Sequence, residues 1–99
     1  MSQQFVCESA LSLSLDILRL AGGGEVWTTV LSLGSNTRVV VFERTGADQP
    51  FTQMMKREDL SDNVSCLRTI YLGNERKQIW TFFATYNGRL FASLAKQLD

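Results

Sequence analysis

The sequence predicts an α+β domain in which a four-stranded antiparallel sheet, built from two hairpins, packs with three helices in the order αββαββα. Three observations carry this expectation. Two pairs of runs dense in Val, Thr, Trp and Phe are each joined by a short connection containing Gly and Asn, the pattern of a β-hairpin. Three other segments place apolar residues at helical spacing. Finally, 44% hydrophobic residues in a chain of 99 suit one globular domain over 1–99. A chain of that length buries roughly two-thirds of its unfolded surface and needs no metal or disulfide to do so.

The first segment reads two ways. Leu11, Leu13, Leu15 and Ile17 alternate with Ser12, Ser14 and Asp16, as in a strand. On a helix, Glu8, Ser9, Ser12, Asp16 and Arg19 gather on one arc, and the run ends at Gly22-Gly23-Gly24, where glycine takes the left-handed cap at little steric cost. The composition, rich in Leu and Ala with one β-branched residue, selects a helix over 8–21. The first hairpin pairs Val26 to Leu33 with Thr37 to Glu43 through Gly34-Ser35-Asn36. Pro50 then suits a first helical turn, and Phe51, Met54, Met55 and Glu58 at helical spacing give a short second helix to about Leu60. A second hairpin pairs Val64 to Leu72 with Arg76 to Tyr86 through Gly73-Asn74-Glu75, and Asn87-Gly88 closes it. Phe91, Leu94, Ala95 and Leu98 lie on one helical stripe, so the chain is expected to end in an amphipathic helix.

Composition excludes several kinds of chemistry. The chain has no His, which removes His acid–base catalysis, Ser-His and Cys-His nucleophile pairs, and every His-containing zinc site. Cys7 and Cys66 are too few for a disulfide scaffold or a zinc cluster, and their apolar neighbours suggest two reduced, largely buried thiols. Gly22-Gly23-Gly24-Glu25 lacks the Gly-Lys-Ser/Thr of a phosphate loop and reads as a connector. Glu58, Asp59 and Asp62 form the one acidic cluster. Their spacing matches no calcium loop, and Lys56 and Arg57 precede them, so they are expected to be solvated. Ser9, Ser12 and Ser14 have no base to activate them. The expectation is no catalytic residue, no cofactor and no metal. Met1-Ser2-Gln3-Gln4-Phe5 has no basic leader and Leu11–Ala21 is interrupted by polar residues, which points to the cytoplasm.

The strands supply the functional signal. An antiparallel sheet with one wet face alternates apolar and polar residues, and these strands do not alternate cleanly. Trp80, Phe82, Ala84 and Tyr86 oppose Ile79 and Phe83; Val39 and Val41 oppose Val40 and Phe42; Trp27, Leu31 and Leu33 oppose Val26 and Val30. Both faces therefore want cover, and exposed apolar patches with aromatic anchors mark interaction sites. The expected function is a small protein-interaction module, an adaptor, inhibitor, immunity or chaperone-like protein acting through an apolar sheet or helix face as a homodimer. Trp80, Phe82, Phe83, Tyr86, Trp27 and Phe42 are its candidate contacts. The plain alternative is that the helices cover both faces of an ordinary monomer core.

A second functional reading is a single-stranded nucleic-acid binder that stacks bases on aromatic residues beside Arg38, Arg68, Arg76 and Lys77. Ten Lys and Arg balance ten Asp and Glu, whereas binding through phosphates usually needs a basic excess, so the basic residues, Arg44 and Arg89 included, also read as scattered solubilising charge. The expected element order is similar to that of the bacterial secretion chaperones, homodimers in which helices flank a twisted sheet and hold an effector segment. That resemblance implies escort of another protein. The family's pattern has one more strand and a longer, more acidic chain than this one.

Overall fold

The segments expected as helices are extended. The computed structural model describes residues 14–21, 27–73 and 76–98, and in them it is all-β, with no helix. Seven strands run β1 Ser14–Ala21, β2 Trp27–Ser35, β3 Arg38–Thr45, β4 Thr52–Arg57, β5 Val64–Leu72, β6 Gln78–Thr85 and β7 Leu90–Gln97. They form two antiparallel meanders, β1-β2-β3-β4 and β5-β6-β7, which lie face to face in a sandwich of 43 × 37 × 15 Å. The two expected hairpins are present as β2–β3 and β5–β6, but they belong to different sheets. The α+β class, the single four-stranded sheet and, with them, the likeness to the secretion chaperones are thereby corrected.

The three expected helices correspond to β1, β4 and β7, all of them sheet edges. For the segment over 8–21, the described part pairs with β2 through eight consecutive residues, from Ser14 with Gly34 to Ala21 with Trp27. Residues 8–13, and Gly22-Gly23-Gly24-Glu25, lie outside the described residues. In β4 and β7 the misleading signal has a physical cause. Met54 is an extra residue on β4 between the partners of Val41 and Phe42, and Ala95 is an extra residue on β7 between the partners of Ile79 and Trp80. A bulge puts two residues opposite one and shifts the alternation by one step. Inward residues then recur at odd as well as even intervals, so Met54 beside Met55, or Phe91 followed by Ala95 and Leu98, imitate helical spacing. A third bulge, at Ser65, lies on the edge strand β5. Bulges at edges twist the strand away from stray pairing.

Apolar side chains from both sheets meet between them. Val30, Val39 and Val41 from the first sheet pack with Val64, Ile79, Phe83 and Ala95 from the second, and Leu60 closes the end. Leu60 comes from the connection between the sheets, its N–H donating to Thr37 O at 3.1 Å. The interior is not wholly apolar. Ser32, Thr69 and Thr81 are buried at its centre, their hydroxyls in one chain: Ser32 Oγ bonds Thr69 Oγ1, which lies 2.9 Å from Thr81 Oγ1. Each buried hydroxyl thus has a partner, as burial demands.

Gly34, expected in a turn, sits inside β2 and is buried. A Cβ there would stand 2.6 Å from Val64 Cγ1 and 2.9 Å from Leu67 Cδ2, so only glycine lets β5 come this close to β2. The turn proper is Asn36-Thr37, with Thr37 at φ 51°. Beside this contact, the Thr69 N–H, on the unpaired edge of β5, donates to Asp16 Oδ2 at 2.7 Å. Further along, Lys96 Nζ on β7 reaches both carboxylate oxygens of Glu43 on β3 at 2.8 and 2.9 Å, and the Arg57 guanidinium on β4 lies over the Phe91 ring at 5.1 Å.

Two expectations follow for urea unfolding. Gly34→Ala lowers stability by about 1–3 kcal/mol, the usual cost of overpacking. Adding Val64→Ala removes the clashing methyls, so the double variant is more stable than the sum of the single losses. Asp16→Ala costs about 1–3 kcal/mol, because it strands a part-buried N–H; an unchanged midpoint would show that this edge contact contributes nothing.

Candidate interaction face on the three-stranded sheet

Strand alternation divides β6 in an unusual way. Its inward set is Ile79, Thr81, Phe83 and Thr85, all buried, and its outward set is Gln78, Trp80, Phe82 and Ala84. Half of the buried set is polar, and the outward set is apolar beyond Gln78. The neighbours repeat this. β5 turns Cys66, Arg68, Ile70 and Leu72 outward beside Ala84, Phe82, Trp80 and Gln78, and β7 turns Leu90, Ala92 and Leu94 outward beside Ala84, Phe82 and Trp80. An antiparallel sheet ordinarily shows water its polar side. This one is apolar on its outer side as well as on its core side.

A groove of about 510 Å³ crosses the three strands on this face. Of the residues lining it, Cys66, Ala84 and Leu90 form one cross-strand row and Arg68 and Phe82 the next, while Leu67, Phe83 and Phe91 lie between the rows with their side chains turned to the core. No residue of the four-stranded sheet lines it, which puts it on the outside of the sandwich. Leu90 is 84% exposed, and Phe82 and Leu94 are 42% exposed.

Trp80 is the most ordered anchor. Its ring lies 6.4 Å from that of Phe82, stacked at 28°. Its Nε1–H donates to Gln78 Oε1 at 2.8 Å, Gln78 Nε2 donates to Gln97 Oε1 at 2.7 Å, and Gln97 Nε2 donates to Arg76 O at 2.9 Å. With the indole N–H satisfied and the ring held, little freedom is lost when a partner covers it.

The structure disperses the residues singled out from sequence. Trp80 and Phe82 share this face. Phe83 points the other way, is 3% exposed, and stacks on Phe91 at 5.0 Å. Tyr86 is exposed in the turn after β6, and Trp27 and Phe42 lie on the outer side of the other sheet, Trp27 half exposed. Arg68 is on the face, Arg76 and Lys77 are in the turn entering β6, and Arg38 is on β3. Arg38 helps, after the Lys56 ammonium that hydrogen-bonds it, to hold the Glu58 carboxyl below its ordinary range. Arg38 and Arg68 therefore serve opposite sheets.

Cys66, expected to be buried, is an exposed free thiol; Cys7 lies outside the described residues. Among the described residues no three His, Cys, Asp or Glu side chains gather to hold a metal ion. In the acidic cluster, Glu58 pairs with Lys56 and Asp62 Oδ1 accepts the Asn63 N–H at 2.7 Å. No helix among the described residues is long and apolar enough to cross a membrane.

Sequence reasoning missed Ile70, Leu72, Leu90, Ala92 and Leu94. The last three were hidden by the helical reading of 89–98. It also missed a charge signal. Residues 64–98 hold Arg68, Arg76, Lys77, Arg89 and Lys96 against Glu75 alone, and most of the acidic residues precede them. The balanced total conceals a basic second sheet. Searches of family models, curated proteins and solved structures found no match to the chain.

The two adjacent phenylalanines separate core from face. Phe83→Ala is expected to cost about 3–5 kcal/mol, as for a buried ring, while Phe82→Ala stays within about 1 kcal/mol, read as shifts in thermal or urea midpoints. Equal losses would mean that Phe82 is covered in solution.

Proposed function

We propose that this chain is a non-catalytic protein-interaction domain, of the adaptor, inhibitor, immunity or chaperone-like kind, that binds another protein through the outer face of β5-β6-β7. The observation that carries the reading is that this sheet is apolar on its outer face as well as on the face it turns to the core. Threonine and serine hydroxyls are buried between the sheets while Trp80, Phe82, Leu90 and Leu94 face outward. Leaving such side chains in water forgoes about 25 cal/mol per Å² of apolar surface, and contiguous exposed patches of this kind mark contact surfaces. Aromatic anchors at the centre of a patch supply most of the energy in such contacts. A cytoplasmic setting fits, since reducing compartments keep an exposed thiol such as Cys66 reduced.

One feature favours a second reading. Trp80, Phe82 and Arg68 share an open sheet face with Arg76 and Lys77 at one end and Arg89 at the other, the combination that single-strand binders use. Ile70, Leu72, Leu90 and Leu94 weigh against it, because aliphatic side chains offer bases no stacking platform.

The test is affinity capture from host lysate by three forms of the chain: unaltered, Phe82→Asp with Leu90→Asp, and Trp27→Asp on the opposite sheet. Proteins retained by the first and third but lost from the second support the assignment to this face. The same proteins retained by all three would remove it, and recovery of nucleic acid alone would replace it with the second reading.

A further inference from the structure

The charge on this face identifies its occupant: resting on the reading above, we propose that the face receives an apolar segment of another protein carrying a carboxylate opposite Arg68. Arg68 is the one charged side chain among the outward residues of β5, β6 and β7. It lines the groove with its cross-strand neighbour Phe82. Among the described residues it has no hydrogen bond or ion pair, whereas Lys96, the other cation on these strands, is already held by Glu43. Covering the groove desolvates the guanidinium that lines it, which is unfavourable unless the covering chain supplies an anion. A carboxylate is the natural match, since guanidinium binds it in a paired, planar arrangement. Arg76, Lys77 and Arg89 in the flanking turns add a field of the same sign, which draws an acidic chain toward the face.

Size points the same way. Eight extended residues span about 27 Å and three strands about 14 Å, a footprint of roughly 400 Å² where each partner of a standard complex buries about 800 Å². One segment fits that footprint. A second copy of the chain fits it poorly, because it brings another Arg68 and no carboxylate from its own outward residues. A nucleic acid would place its phosphates near Arg68 but its bases against Ile70, Leu72, Leu90 and Leu94.

The test is selection from a displayed random-peptide library on the full chain carrying Trp27→Phe, so that Trp80 is the sole tryptophan and its emission reports binding. Selected peptides are expected to be apolar with a recurrent Asp or Glu and to shift Trp80 emission to the blue. Replacing that residue by Asn or Gln, or Arg68 by Gln, weakens binding roughly tenfold, and Arg68→Glu turns the selection toward Lys and Arg. Peptides without acidic enrichment, or acidic peptides indifferent to Arg68→Glu, overturn the inference while leaving a protein-binding face in place. A particle of twice 11.1 kDa that Phe82→Asp dissociates names a second copy as the occupant instead. A Trp80 shift with a single-stranded oligonucleotide and with no peptide overturns both this inference and the protein-binding reading.

Discussion

The close approach of β5 to β2 at Gly34 and Ser32 governs the rest of the molecule. Glycine opens the space that Val64 and Leu67 fill, and the short side chain of Ser32 lets its hydroxyl meet Thr69 across the gap. A hydroxyl buried without a partner costs more than a hydrogen bond returns, so the Ser32–Thr69–Thr81 chain ties the register of one sheet to the other. A slip of β5 by one residue would send Thr69 outward and strand Ser32 in the core. Asp16 extends the arrangement by accepting the Thr69 N–H, which occupies an edge donor that would otherwise invite another strand. The Lys96–Glu43 pair bridges the sheets farther along.

That choice of interior determines the exterior. Strand side chains alternate, so a β6 register that buries Ile79, Thr81, Phe83 and Thr85 leaves Trp80, Phe82 and Ala84 on the other side. Trp80 and Phe82 are outward because Ile79, Thr81 and Phe83 are inward, and the hydroxyl chain holds Thr81 in place. The proposed interaction face and the core are two readings of one register. The bulges at Met54, Ser65 and Ala95 all occur on edge strands, where they discourage sheet extension. Three of the four edges thus carry a bulge, while the outer face of β5-β6-β7 is left open.

The site was partly legible. Trp80 and Phe82, two apart on a β-rich run, declared a shared apolar face from spacing alone, and the alternation around them placed Phe83 on the opposite side. Trp27 and Phe42 join them by residue type and Tyr86 by the same alternation; the sandwich separates Trp27 and Phe42 because each hairpin belongs to a different sheet, and Tyr86 because β6 ends at Thr85. From sequence, Arg68 and Arg38 stand out equally among the cations as neighbours of the aromatic residues. The significance of Arg68 comes from being the one charge within an apolar surface, a property of neighbours on three strands. Leu90, Ala92 and Leu94 were hidden by the bulge at Ala95, which gives a strand the spacing of a helix.

By itself the sequence determined the strands of the two hairpins, since β2, β3, β5 and β6 are rich in β-branched and aromatic residues and are punctuated by turn residues, signals that act over a few positions. It also removed histidine chemistry by composition. Tertiary structure alone decided the other three strands, each at a sheet edge. β1, β4 and β7 carry Leu, Ala, Met and Lys, which suit a helix as well as a strand, and they are extended because a neighbour offers a ladder of backbone partners. Tertiary structure alone also decided that the two hairpins face each other instead of lying side by side, because that choice rests on Gly34, which can be recognised as a site of close approach only once β5 is against it.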